Sequence, residues 1–260
     1  MTKLGNASIL PKSISKMTEK EVINTGNWTA GALDEIIRHA ASINDIGERI
    51  AFLSGHFLGT PYLENTLIGG ANTDEIFVID LAGVDCFTFL DYVEAMRLSS
   101  SFADFKECLK RIRYRSGSVS FADRNHFFTD WHEFNGEFVE DATGKIGLQN
   151  TRTIRKVLNL REDGSFFVPG IEPGERDVKF IPSSSLNDLI INRIETGDYI
   201  GIYSEREGLD VTHVGIFIRE GEALVLRHAS STQENRKVVD QDFIEYVKNK
   251  PGIVVFRPKG

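Results

Sequence analysis

The chain has 260 residues, 41% of them hydrophobic and 26% charged, the make-up of an ordinary globular protein with enough length to bury a substantial core. A formal net charge of −8 gives a nucleic-acid role no electrostatic support. No stretch approaches the roughly 18 apolar residues of a membrane-spanning helix, so neither nucleic acid nor membrane is expected as a partner.

Residues 1–18 show no sustained period and read as a loose arm ahead of a single domain over 19–260. The N-terminus lacks the apolar core of a signal peptide. A chain starting here natively would stay in the cytoplasm; one trimmed of a leader would belong to the cell envelope. From Ala30 to about Leu58 apolar residues recur at helical spacing until Gly59-Thr60-Pro61-Tyr62 breaks the pattern. Ile76–Leu81 reads as a short strand, and a helix follows from Cys86. Further helices are expected over about 101–114 and 130–139. The C-terminal half reads as strands near 152–158, 177–181, 198–203, 212–219, 223–230 and 253–257. Helices interrupt them near 184–194 and 240–249, the latter with Asp240 as N-cap. Helices first and strands later argue for an α+β fold.

Cys86 lies in Val84-Asp85-Cys86-Phe87-Thr88, where strand gives way to helix. In a first helical turn, unpaired N–H groups and the positive end of the helix dipole favour a thiolate. Cys108, mid-helix beside Phe105, Leu109 and Ile112, reads as a small buried hydrophobe. Two cysteines are too few to staple this chain, and both are read as reduced. His213 opens His213-Val214-Gly215-Ile216, and His228 closes Leu224-Val225-Leu226-Arg227-His228. If Glu220-Gly221 forms a two-residue turn, His213 faces His228 on one side of a hairpin, and Gly215 leaves room beside them for a thiol. A nucleophile, a base and an orienting group are then at hand for acyl transfer. Zinc held by the same residues is the rival chemistry. However, no Cys-x-x-Cys or His-Glu-x-x-His pair is present, and His126 and His132 lack that spacing, so neither metal nor cofactor is expected.

Asp85-Cys86, His213-Val214-Gly215-Ile216 and His228-Ala229-Ser230 resemble the motifs of NlpC-type papain-like cysteine peptidases of bacterial cell walls. More narrowly, the chain is similar to the N-acetylmuramoyl-L-alanine amidase-like branch. That likeness rests on Gly59–Tyr62, Asp85–Phe89, Arg113–Gly117, Arg124–Trp131, Gly197-Asp198 and Leu209–His213. It implies an α+β papain-like fold with the nucleophile helix packed on an antiparallel sheet and helical decoration at the N-terminal end. It also implies Cys86 as nucleophile, His213 as base, His228 as orienter, and hydrolysis of the muramoyl–L-Ala amide of peptidoglycan fragments. Relatives favour anhydro-muramyl ends. The nearest alternative is an endopeptidase cutting the stem peptide; a non-catalytic module binding wall fragments is a further one. Candidate substrate contacts are Arg113, Arg115 and Arg124, as grips for peptide carboxylates. Tyr62 and Trp131 are candidate pocket walls, and Asn125, His126, Asp130 and Asp210 candidate polar lining. For each, a purely structural role is the competing expectation.

Overall fold

The computed structural model describes residues 20–260; the arm expected over 1–18 lies outside them. A small sheet contains β1 (Glu21–Asn24), β2 (Ile68–Gly70) and β3 (Thr73–Asp80), with β3 central, parallel to β1 and antiparallel to β2. Between β1 and β2 run α1 (Ala30–Ala41) and α2 (Ile46–Gly55). The helical pattern expected over 30–58 is split at 42–45, where Asp45 caps α2 by accepting the Glu48 N–H at 2.8 Å.

Helix α3 (Cys86–Arg97) is the pivot of the fold, buried at every position from Thr88 to Arg97. A helix apolar on only one side could not be enclosed in this way, so its polar residues must find partners. Glu94 takes both Nε and Nη2 of Arg97, at 2.8 and 2.6 Å, and the Tyr199 hydroxyl at 2.6 Å. Asp91 takes Arg113 Nε at 2.8 Å and Trp131 Nε1 at 3.1 Å. These bonds tie α3 to α4 (Phe102–Arg113) and α5 (Phe128–Phe134). Helix α5 is shorter than the expected 130–139, because the chain turns at Asn135-Gly136 and Val139 opens strand β4 (Val139–Asp141).

After α6 (Thr143–Gly147) come β5 (Arg152–Leu158), β6 (Gly174–Pro182), α7 (Asp188–Ile191), β7 (Tyr199–Tyr203), β8 (Val211–Glu220), β9 (Ala223–Ala229), β10 (Val238–Asp242), α8 (Phe243–Val247) and β11 (Gly252–Pro258). The large sheet runs β10-β9-β8-β7-β11-β6-β5, with β4 also paired to β11 and every pairing antiparallel. One apolar core lies between this sheet and α1–α5; the other lies on its far face under α6, α7 and α8. The α+β reading and the antiparallel sheet stand.

Two expected helices change. That over 184–194 shrinks to α7. That over 240–249 divides into β10 and α8, whose N-cap is Asp242, not Asp240, which lies on β10 opposite Arg227. No helix of the described residues is long and apolar enough to cross a membrane.

Candidate active site

Cys86 is the first residue of α3. Asp85 caps the helix, accepting the N–H groups of Phe87 and Thr88 at 3.0 and 2.7 Å, while Thr88 Oγ1 accepts the Asp85 N–H at 3.0 Å. This capping box fixes the turn on which the thiol is carried. The Cys86 pKa is pushed up to about 12, by burial first and the Asp85 charge second, against the opposing pull of the Val214, Cys86 and Phe87 N–H groups. The thiolate expected from the helix start is therefore not the resting form. Asp85 already occupies the positive end of the helix, and its charge works against the sulfur.

The histidines meet, though not as the hairpin register suggested. The turn is Gly221-Glu222, with Gly221 at φ +61°, so Glu220 pairs with Ala223 and Phe217 with Leu226. Relative to expectation the register has slipped by two, an even number, so both imidazoles keep the same sheet face. They meet diagonally, with His213 Nε2 2.7 Å from His228 Nδ1. The position facing His228 is Gly215. A Cβ there would come within 2.9 Å of the His228 Cβ, so the missing side chain makes room for the imidazole and not for the thiol. Where β8 meets β7, the register shifts between Ile202 and Tyr203, next to His213. Such irregularities bend a strand and re-aim its side chains.

His228 Nε2 lies 2.6 Å from Gln241 Oε1. An amide oxygen can only accept, so Nε2 of His228 carries the proton, and in the neutral ring Nδ1 is bare. His213 Nε2 must then be the protonated nitrogen of its ring, leaving His213 Nδ1 with a free lone pair. Burial, then His228, then Lys250 lower the His213 pKa to about 3. That of His228 is lowered by burial against the Gln241 hydrogen bond and the Asp240 charge. At rest the site thus holds a thiol and a hydrogen-bonded run of neutral imidazole, neutral imidazole and amide.

Two phenols flank the sulfur. Tyr62 and Tyr246 both have pKa values pushed up to about 12, by burial first and by the nearby Cys86 sulfur second. Tyr62 is held by a bridge to Val84. The Tyr246 ring lies 5.0 Å from that of His228 and 6.2 Å from that of His213. Gln241 and Tyr246 escaped the sequence reading because both fell inside the helix expected over 240–249. The β-branched pair Val238-Val239 was the signal for a strand.

The other candidates divide. Arg113, 1% exposed, is engaged by Asp91 and by the Val78 carbonyl at 2.6 Å, so it cannot grip a substrate carboxylate. Trp131, also 1% exposed, packs on Phe128 and Tyr199 and is core, not pocket wall. Asn125 is buried and donates to the Ile112 carbonyl at 3.0 Å. Asp210 is buried too, accepting the Thr129 N–H and hydroxyl at 2.7 and 2.8 Å; it pins α5 to the start of β8, and burial raises its pKa.

Arg115, Arg124, His126 and Asp130 do come together, joined by Glu75 and by Arg176, which the sequence reading missed. Asp130 meets Arg176 at 2.7 Å and Arg115 at 3.8 Å, while Glu75 meets Arg124 at 3.3 Å. His126 Nε2 bonds the Phe121 carbonyl at 2.8 Å. Burial and the nearby Arg124 and Arg115 outweigh that bond and lower its pKa to about 4. Cys108 is buried in α4 with its sulfur 3.8 Å from the Leu98 carbonyl. Among the described residues, no group of three or more His, Cys, Asp or Glu side chains is placed to hold a metal ion.

Residues 52–253 match the model of the AmiA-like family, described as N-acetylmuramoyl-L-alanine amidase-like. A Legionella pneumophila protein of the family DUF1460 superposes with a TM-score of 0.74 at 25% identity, over 89% of this chain and 97% of that one. An N-acetylmuramoyl-L-alanine amidase from Bacteroides uniformis gives a TM-score of 0.66 at 26% identity, over 83% of this chain and 99% of that one. No protein of curated function matches the chain. With the family model spanning most of its length, the chain belongs to the N-acetylmuramoyl-L-alanine amidase-like family.

Proposed function

We propose that this protein is a cysteine-dependent amidase that hydrolyses the bond between a muramoyl lactyl group and L-Ala in peptidoglycan fragments, with a preference for anhydro-ended ones, and that 19–260 form one papain-like domain of the NlpC type. The observation that carries the reading is the hydrogen-bonded run His213–His228–Gln241 at 2.7 and 2.6 Å, together with a helix-start thiol that meets the N–H of Val214, the residue after His213. It leaves a single basic nitrogen, His213 Nδ1, to take the thiol proton.

The steps follow from that polarity. Cys86 Sγ attacks the amide carbonyl as its proton passes to His213 Nδ1. The oxyanion is met by the Cys86 N–H and the Tyr62 phenol, whose raised pKa keeps it a donor. The C–N bond breaks, and the L-Ala amine leaves with the proton from His213. Water, deprotonated by the same nitrogen, then opens the thioester to give the muramoyl carboxylate and free thiol. His228 and Gln241 touch no reacting atom; they hold the tautomer and share the charge that His213 acquires.

The test is mass analysis of a disaccharide-tetrapeptide after incubation. The expected products are a peptide-free disaccharide and an intact stem peptide beginning with L-Ala, formed faster from an anhydro-ended substrate and absent with Cys86→Ala. A sugar product that keeps L-Ala-D-Glu would make the protein an endopeptidase. Loss of activity with a chelator, restored by zinc, would overturn the thiol mechanism.

A further inference from the structure

Segment 59–63 is clamped between two stretches of chain. On one side the Gly59 N–H donates to the Val238 carbonyl at 2.9 Å, the Val238 N–H to that of Thr60 at 2.8 Å, and the Tyr62 N–H to that of Arg236 at 2.9 Å. On the other, the Leu63 N–H donates to the Val84 carbonyl and the Val84 N–H to that of Pro61, both at 3.0 Å. Val84 stands two residues before Cys86, so these bonds seat Tyr62 beside the thiol and Arg236 beside Tyr62. The loop that enters β10 is thereby fixed to the turn that carries the nucleophile.

Arg236 adopts a φ of +42°, in the left-handed region that a β-carbon disfavours and that persists only where the surroundings impose it. Its guanidinium lies over the Tyr62 ring, 5.4 Å from the centroid. A guanidinium held against a ring keeps its in-plane N–H groups for a carboxylate. Its one ion-pair partner among the described residues is Glu64, at 3.8 Å, with the two side chains 50% and 58% exposed. A pair that long and that open to water is weak, so another carboxylate can replace Glu64 at little cost. The other carboxylate near Tyr62, that of Asp85, is spent on the Phe87 and Thr88 N–H groups. The charge of Arg236 is thus only lightly committed.

We propose that Arg236 determines specificity by gripping the α-carboxylate of D-Glu, the second residue of the stem peptide. This rests on the amidase reading, in which the muramoyl half is neutral and the amine of L-Ala is the leaving group. In that reading the Tyr62 hydroxyl meets the oxyanion, and Arg236 lies one phenol ring away. The D-Glu α-carboxylate lies one peptide unit beyond L-Ala, about 3.8 Å from Cα to Cα, so the two spans are of similar length. A guanidinium fork also matches a carboxylate bidentately. The ammonium of Lys250, 5.3 Å from the centroid of the other phenol, Tyr246, does not. Glu64 takes the place of the substrate carboxylate in the free protein, and the bound peptide displaces it.

The experiment compares kcat/KM for N-acetylmuramoyl-L-Ala-D-Glu and N-acetylmuramoyl-L-Ala-D-isoglutamine, which has the same scissile bond and an amide in place of the α-carboxylate. The readout is the acid-to-amide ratio. Arg236→Gln is expected to lower it by about tenfold or more. Glu64→Gln removes the competing carboxylate and is expected to raise it about two- to fivefold. A structural role for Arg236 would slow both substrates alike and leave the ratio where it was. A ratio unmoved by Arg236→Gln, or one that falls with Lys250→Gln instead, would overturn the assignment. If the parent protein cuts neither substrate, the amidase reading fails. The carboxylate site is then judged by calorimetry, with N-acetyl-L-Ala-D-Glu and its α-amide added to Cys86→Ala protein. Tighter binding of the acid that is lost with Arg236→Gln supports the site. Equal binding of the two, or binding of neither, refutes it.

Discussion

Gln241 is the residue whose replacement most directly tests the proton chain. Its oxygen is the only part of the run His213–His228–Gln241 that cannot donate, so it sets the direction of both hydrogen bonds. Gln241→Glu keeps an acceptor in place and adds a negative charge. From hydrogen bonds of 2.6 and 2.7 Å, with an imidazole between them, the new charge lies about 8 Å from the His213 ring. At an effective dielectric of about 20 this is worth about 2 kcal/mol, or roughly 1.5 pKa units, in favour of imidazolium. Since His213 starts near 3, the acid limb of kcat/KM is expected to move up by about one to one and a half pH units. Gln241→Leu removes the acceptor and strands the His228 N–H, which costs about 1–3 kcal/mol. With the tautomer unset, kcat is expected to fall about 10- to 100-fold at nearly constant KM. Steady-state kinetics across pH on the muramoyl dipeptide read both effects. A Gln241→Leu enzyme with parental kcat, or a Gln241→Glu profile that does not move, would show that the run ends at His228.

Three further outcomes follow from the same geometry. His213→Ala is expected to lower the rate by about 10²–10⁴ and to slow iodoacetamide labelling of Cys86 while leaving Cys108 unchanged, read by peptide mass analysis. In acid, an imidazole held near 3 in the fold and near 6.5 when unfolded takes its proton first in the unfolded chain. Stability is therefore full above about 6.5 and lost as pH falls toward 3, by about 2 kcal/mol for His213 at pH about 5. Denaturation midpoints of His213→Asn should show less of this slope, and an identical slope would refute the burial argument. Arg113→Met strands a buried Asp91 and is expected to cost about 3–5 kcal/mol of stability, less when combined with Asp91→Leu. Unchanged stability with weakened substrate affinity would return Arg113 to the binding site.

What could be read from the sequence follows the range over which each signal acts. Cys86 at a helix start was legible because Asp85 and Thr88 form a local capping box. The His213 and His228 strands were legible from their apolar runs, and their shared face survived a misplaced turn because the slip was even. Long-range partners were not legible. Arg113 looked like an exposed helix end, since its neighbours in sequence give no hint of Asp91, 22 residues away on α3. Arg176 sits on β6, far in sequence from the Asp130 it meets. Asp240 looked like a helix cap, although its carboxylate is spent on Arg227 of the adjacent strand.

The resting charges bear on how the proposed chemistry must run. In a thiolate–imidazolium pair the proton has moved before substrate arrives, and the base need only hold its charge. Here burial pushes the thiol up to about 12 and the imidazole down to about 3, so the resting site favours the neutral form of each. The proton must then cross as the sulfur attacks, and the groups that favour the charged pair must act in the transition state: the Val214 and Phe87 N–H groups at the sulfur, and His228 with Gln241 behind the base. A buried neutral thiol is also a poor target for small oxidants and alkylating agents, whose partner is the thiolate. A substrate that fills the site displaces the remaining water and brings its carbonyl against the Cys86 N–H and Tyr62. In the proposed reaction the sulfur becomes nucleophilic only then, so the burial that suppresses the free thiol would also tie its reactivity to the bound amide.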